Sequence, residues 1–151
     1  MTAPRRIGIV TSARSDFGLI QGLIRAVDSD PALTLTLFVT GMHHSKMHGH
    51  TRDDICAQGF EHAIVDVPSF RDDDKAGGIA YIMSDATAGF AQAFETHDID
   101  ILVILGDRYD AFPAALAALP FNIPIAHISG GERTEGAIDE AIRHSLTKLA
   151  H

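Results

Sequence analysis

The chain has 151 residues, 46% of them hydrophobic, which is enough to bury one core without disulfides or a structural metal. Its formal net charge of −8 repels phosphodiester backbones and anionic lipid, so neither nucleic acid nor a membrane is an expected partner. The single cysteine, Cys56, allows no internal disulfide, the amino-terminal apolar run is too short for a signal segment, and no stretch approaches the roughly 18 apolar residues of a membrane span; a cytoplasmic address is expected.

The apolar pattern alternates between short runs and longer helical periods, as in an α/β chain. Arg6 to Thr11 reads as the first strand. Asp16 is placed to cap a helix in which Leu19, Ile20, Leu23, Ile24 and Val27 share a face, ended by Asp30-Pro31. Leu33 to Thr40 is the second strand, closed by Gly41. The polar, histidine-rich residues 41–50 read as a loop before a short helix over Thr51 to Ala57, and Gly59 ends that helix. Phe60 to Val67 is a third strand, and the polar stretch Ser69 to Lys75 reads as a solvated loop suited to a lid. From Ile79, the positions Ile82, Met83, Ala86, Phe90, Ala93 and Phe94 keep helical spacing to about Thr96. The strand up to Leu105, a helix over Asp110 to Leu119, the strand Ile123 to Ile128, and a last helix striped by Ile138, Ile142, Leu146 and Leu149 complete the series. Five strands alternating with helices predict a doubly wound, parallel Rossmann-like sheet. No glycine, proline or polar tail follows Leu149, so the chain is expected to be part of a longer protein.

Five apolar residues, Ile101 to Leu105, read as a strand buried on both faces, with Gly106, Asp107, Arg108 and Asp110 at its end. Ligands of open parallel sheets bind outside the carboxyl ends of strands, so Asp107 and Arg108 are candidate site residues. Arg14, between the first strand and its helix, is placed to meet a phosphate together with backbone N–H groups. There is no GxGxxG and no Walker A pattern, which lowers the case for a dinucleotide or ordinary ATP, and no cofactor is expected. His43, His44, His48 and His50 lack zinc-type spacing and a cysteine partner, so no metal site is expected; His43 is the histidine best placed to face a cleft. Ser129, Gly130, Gly131 and Glu132 follow the last strand, where paired glycines allow close approach of backbone to ligand. On the final helix Asp139 lies one turn before Arg143, and Glu140 one turn before His144; cross-turn pairing accounts for these, and at least one group is expected to point into the cleft.

The segments TSARSDFGL, VTGMHHS, ILGDRYDAFPAALAA, IPIAHISGGE and TEGAIDEAIRHSLTKLAH, in that order, resemble the UDP-N-acetylglucosamine 2-epimerase family, most closely its hydrolysing branch, which feeds sialic, legionaminic and related acid synthesis. The resemblance spans the whole chain. It implies the amino-terminal half of a glycosyltransferase-B type fold, residues 1–151 forming one Rossmann-like domain, with a carboxy-terminal domain carrying most uridine and diphosphate contacts and the sugar lying between them. A UDP-sugar substrate and a homo-oligomer are implied partners. The implied reaction eliminates UDP from C1 with loss of the C2 proton, passes through a 2-acetamidoglucal, and adds water to release the 2-epimerised sugar. Matched position by position, Arg14 corresponds to an arginine near the nucleotide phosphates, His43 to the histidine of TGxH, Asp107 to the GD aspartate, Glu132 to the GGE glutamate, Asp139 to the IDE aspartate, and Arg143 and His144 to the RH pair. Asp107, Glu132 and Asp139 are the expected acid–base set. Many relatives carry glutamate or histidine where this chain has Ser129, which leaves the proton transfers to Glu132 and Asp139 or points to a subgroup with another sugar. Two alternatives are a non-hydrolysing epimerase that retains the nucleotide, against which GDRYD and GGE argue, and a noncatalytic binding or oligomerisation module.

Overall fold

A computed structural model describes residues 3–135 and 138–151. Strands β1 (Arg5–Thr11), β2 (Leu33–Thr40), β3 (Ile64–Val67), β4 (Ile101–Leu105) and β5 (Ile125–Ile128) form one parallel sheet in the order β3-β2-β1-β4-β5. Helices α1 (Arg14–Ser29), α2 (Arg52–Ala57), α3 (Ala76–Thr96), α4 (Phe112–Ala118) and α5 (Ile138–Leu149) supply the crossovers. The order runs outward in opposite directions from the β1–β4 pair, so the connections that follow β1 and β4 leave in opposite directions and a crevice lies outside their carboxyl ends.

Side chains alternate across each strand, and this sorts the core into two layers. Ile7 and Ile9 of β1, Leu35, Leu37 and Val39 of β2, and Val103 of β4 face Phe17, Ile20, Ile24 and Val27 of α1. Val10, Phe38, Leu102, Ile104 and Ile125 face the other way, against Ala86, Phe90 and Phe94 of α3, the alanines of α4, and Ile142 and Leu146 of α5. Phe38 is the hub of that second layer, edge-on to Phe90 and Phe94 at ring separations of 5.8 and 5.4 Å. Gly8 makes the room: a Cβ there would lie 2.9 Å from the Phe38 ring.

The third strand is shorter than its apolar run. Glu61–Ala63 coil into a 3-10 turn that drops Ala63 into the core, and pairing with β2 begins only at Ile64. The last strand likewise starts at Ile125, with Pro124, which has no N–H to give a ladder, contributing only its carbonyl to Leu102 N–H. Helix α4 begins two residues later than its apolar period, because Asp110 is drawn into a buried ion pair and Pro113 pre-sets the first turn. Ser69, expected in solvent, is buried with its hydroxyl 3.1 Å from Thr40 Oγ1, whereas residues 71–77 are exposed as expected.

Phe38→Ala is expected to cost about 3–5 kcal/mol, the range for truncating a large buried aromatic. Urea titration read by circular dichroism checks it, and a loss below about 1 kcal/mol would show that the second layer collapses around the gap.

Candidate active site

The crevice at the sheet's change of direction encloses about 260 Å³ and is lined by Asp16 and Leu19 of α1, Asp107 and Arg108 after β4, Ser129 and Glu132 after β5, and Arg143 of α5. Asp107 follows Gly106, whose φ of +75° turns the chain sharply at the strand end, a conformation glycine adopts without cost. Its carboxylate is ion-paired to Arg143 and accepts from the Thr134 hydroxyl at 3.4 Å. Arg143 itself is only 5% exposed. Its guanidinium donates to the Ser129 carbonyl at 2.6 Å and to Thr134 Oγ1 at 3.0 Å, and lies 3.6 Å from Glu132. Its Nε is buried without a hydrogen-bond partner among the described residues. Ser129 holds φ at +62°, a left-handed conformation that costs a non-glycine residue about 1–2 kcal/mol, and its carbonyl is the one bound to Arg143.

Asp107, Arg108, Ser129, Glu132 and Arg143 therefore meet at one cleft; among the described residues Asp139 and His144 are not in its lining, and Arg14 and His43 line a second groove together. Asp139, half-buried in the first turn of α5, makes no side-chain hydrogen bond among the described residues; its neighbour Glu140 instead caps the loop, accepting from Thr134 N–H at 2.7 Å and facing His144 Nε2 at 3.0 Å. That backbone bond, with His144 adding to it, holds the Glu140 carboxyl below its ordinary range. The cross-turn pairing on α5 thus holds for Glu140 and His144 but not for Asp139, because Arg143 is drawn inward to Asp107. His144 stays on the surface.

Arg14 is exposed and lines an adjoining groove with Met42, His48, Thr51 and Arg108. Asp16 is not the cap residue. It sits at the third helical position, buried, and its carboxylate accepts from Ser12 N–H (2.9 Å), Ala13 N–H (3.1 Å), Ser12 Oγ (2.8 Å) and Thr11 Oγ1. The two backbone donors ahead of the helix are thereby bound to protein rather than offered to an anion. Ser12 Oγ in turn accepts from Arg108 Nε at 2.9 Å, and Arg108 grips the fully buried Asp110 through two further bonds at 2.9 and 2.8 Å. Burial opposes the charge on Arg108, but the bonds and the charge of Asp110 outweigh it and hold its pKa above the ordinary value.

His43 lies in a 3-10 turn rather than a solvated loop, and it lines a separate groove with Arg14, Phe17, Thr51 and Asp54. It is fully buried, with Nε2 2.9 Å from Thr11 Oγ1 and Nδ1 2.8 Å from Thr51 Oγ1. Thr11 gives its proton to Asp16, so its oxygen accepts from His43 Nε2–H and Thr51 donates to Nδ1; the ring is satisfied as a neutral species. Burial lowers its pKa to about 4. The other loop histidines diverge: His44 reaches the Val39 carbonyl, His48 the Ser45 hydroxyl, and His50 Asp53. Gly130 also has a different role from the expected one. A Cβ there would lie 2.7 Å from Thr147 Oγ1 and 2.8 Å from His127 Nδ1, so its missing side chain admits protein groups, whereas Gly131 opens onto free space.

The spacing along the chain does not single out His127 or Thr147. For His127 a signal existed: it shares strand parity with the buried Ile125, an unusual place for a histidine.

A doubly wound α/β domain with acidic and basic side chains gathered at its change of direction is of the Rossmann-like type, and the solved structures it overlays are of the glycosyltransferase-B type. Residues 25–151 match UDP-N-acetylglucosamine 2-epimerase, and the chain belongs to that family. It is 34% identical over 147 residues to the UDP-N,N'-diacetylbacillosamine 2-epimerase (hydrolyzing) of Legionella pneumophila and 37% identical over 147 residues to the GDP/UDP-N,N'-diacetylbacillosamine 2-epimerase (hydrolyzing) of Campylobacter jejuni. Each alignment covers 97% of this chain and 38% of the relative, so the chain spans about two fifths of the length of these proteins. It also overlays a crystal structure of UDP-GlcNAc 2-epimerase from Neisseria meningitidis bound to UDP-GlcNAc, with a TM-score of 0.80 at 20% identity over 96% of this chain and 38% of that one. Among the described residues, no helix is long and apolar enough to cross a membrane.

The unfolded state takes up a proton at an ordinary histidine near pH 6.5, but buried His43 resists until about pH 4. Stability is therefore expected to fall by roughly 3 kcal/mol as pH drops through that window, over and above carboxylate effects. Urea titrations across the window should show this fall flattened in His43→Gln; parallel profiles for the two proteins would refute it.

Proposed function

We propose that this chain is the amino-terminal domain of a hydrolysing UDP-acetamido-sugar 2-epimerase, with a UDP-linked diacetamido-trideoxyhexose as first candidate substrate and UDP-N-acetylglucosamine as second. The convergence of Asp107 and Glu132 on one cleft, beside Arg108 and Arg143, carries the reading. Support for the substrate comes from the two hydrolysing relatives, both named for diacetylbacillosamine, and support for a UDP sugar in this fold from the solved relative that holds UDP-GlcNAc. In the proposed full-length protein a second α/β domain closes over the cleft and supplies most nucleotide contacts, in line with the two-fifths coverage of the relatives.

The proposed reaction breaks the C1–O bond to release UDP while a carboxylate takes the C2 proton, leaving a C1–C2 double bond. Water then adds its oxygen to C1, and C2 is reprotonated from the opposite face, so the product is a free sugar inverted at C2. Two acid–base groups on opposite sides of the ring suffice for this. Asp107 is held rigidly by Arg143 and Thr134, and the Glu132 side chain is 67% exposed at the rim, free to approach from the other side. Asp107 and Glu132 are the groups of the proposed acid–base set that line the described cleft, and Asp139, in the first turn of α5, is the third candidate.

Incubating the full-length protein with UDP-diacetamido-trideoxyhexose in deuterated water is expected to release UDP and a free 2-epimerised sugar carrying deuterium at C2, read by NMR. An equilibrium mixture of intact UDP sugars would favour the nucleotide-retaining reaction instead, and no exchange at C2 with either candidate substrate would end the proposal. Asp107→Asn is expected to lower kcat by about 100-fold or more, as loss of a positioned acid–base group does, with KM changed much less.

A further inference from the structure

We infer that His127 is a positioning residue for Asp107, acting through the Gly106 turn without touching substrate; the inference rests on the acid–base role proposed above for Asp107. His127 Nε2 lies 2.6 Å from the Gly106 carbonyl, the peptide immediately before Asp107. On its other side, Gly106 N–H donates to the Ile128 carbonyl at 3.0 Å. Both polar groups of this left-handed glycine are thus tied to β5, one by the strand ladder and one by an imidazole.

The ring is held from behind. Its Nδ1 lies 3.1 Å from Thr147 Oγ1 in the last turns of α5, and the space it occupies is the one a side chain at Gly130 would fill. A carbonyl only accepts, so Nε2 carries the proton, while the Thr147 hydroxyl is shared between Nδ1 and the Gly130 carbonyl, 3.3 Å away. One imidazole therefore fixes the β4 turn relative to β5, the Gly-Gly loop and α5. Arg143 grips the Asp107 carboxylate from the same helix. The carboxylate is held at its tip by α5, and its backbone is held at its base by His127, so freeing the Gly106 carbonyl lets the turn re-orient and displaces the carboxylate from the cleft. Displacements of an ångström at a reacting group cost about 100-fold in rate, which sets the scale for a partial release.

The test uses the full-length enzyme and its UDP sugar. His127→Phe keeps a planar ring and removes both bonds; His127→Gln restores an N–H donor toward the Gly106 carbonyl. The phenylalanine variant is expected to lose about tenfold or more in kcat with KM within about threefold of the parent, and the glutamine variant to recover most of that loss. A parent-like kcat in His127→Phe, or equal losses in both variants, would overturn the inference. A parent enzyme without activity would instead strike the proposed function. An independent readout on the 151-residue chain is the tautomer of His127 from long-range 1H–15N spectra above the ordinary histidine titration range: Nε2–H is expected, and Nδ1–H would overturn the inference whatever the enzyme does.

Discussion

The buried pairing of Arg143 with Asp107 is the contact on which the cleft depends. It is the place where α5 meets the carboxyl end of β4, and the same guanidinium fork reaches the Ser129 backbone and Thr134. Taking one partner away from such a pair leaves an uncompensated charge inside the protein, at a cost of about 3–5 kcal/mol. The pair therefore does two things together: it closes the last helix onto the sheet, and it orients an acid at the mouth of the crevice. A lysine, with a single rotatable ammonium, would not serve both the carbonyl and the carboxylate.

A second polar assembly does the same work on the opposite wall. Asp16 gathers the end of β1, Ser12 passes the chain of bonds to Arg108, and Arg108 holds Asp110. The Asp110 carboxylate lies against Gly41, at the end of β2, where φ is +55° and a Cβ would collide with it. Three strand ends are thus locked together by side chains that are charged yet almost entirely paired. His43 belongs to this assembly as a neutral member, bonded between Thr11 and Thr51, and its burial is what keeps it from protonation. Arg108 lines both the cleft and the adjoining groove that holds Arg14, so the rigid wall carries cationic groups along one continuous edge.

This division of labour fits the proposed elimination of an anionic leaving group. Rigid, fully bonded groups such as Asp107 and Arg108 cost no reorganisation when charge moves, whereas Glu132, exposed at the rim, retains the freedom to meet a ligand that arrives from outside the domain. The glycines split in the same way: Gly130 makes room for His127 and Thr147, while Gly131 leaves the rim open.

From the residues alone, the element order, the parallel sheet and the strand ends that bear the site were legible, because apolar period and glycine placement are local properties. The family motifs likewise pointed to Asp107, Glu132 and Arg143, which the fold brings to one cleft. What a side chain in those motifs does was not legible where its partner lies far along the chain. Arg143 was read against Asp139, one turn away, but it pairs with Asp107, 36 positions distant. His43 was read as facing a ligand, but Thr11, 32 positions away, occupies one of its nitrogens, and His127 drew no notice because Gly106 lies 21 positions before it. Spacing along the chain determined which groups stand at the carboxyl edge of the sheet. Only the folded arrangement decided which of them are consumed by one another and which still face the cleft, since a hydrogen bond or ion pair depends on distance in space and not in sequence.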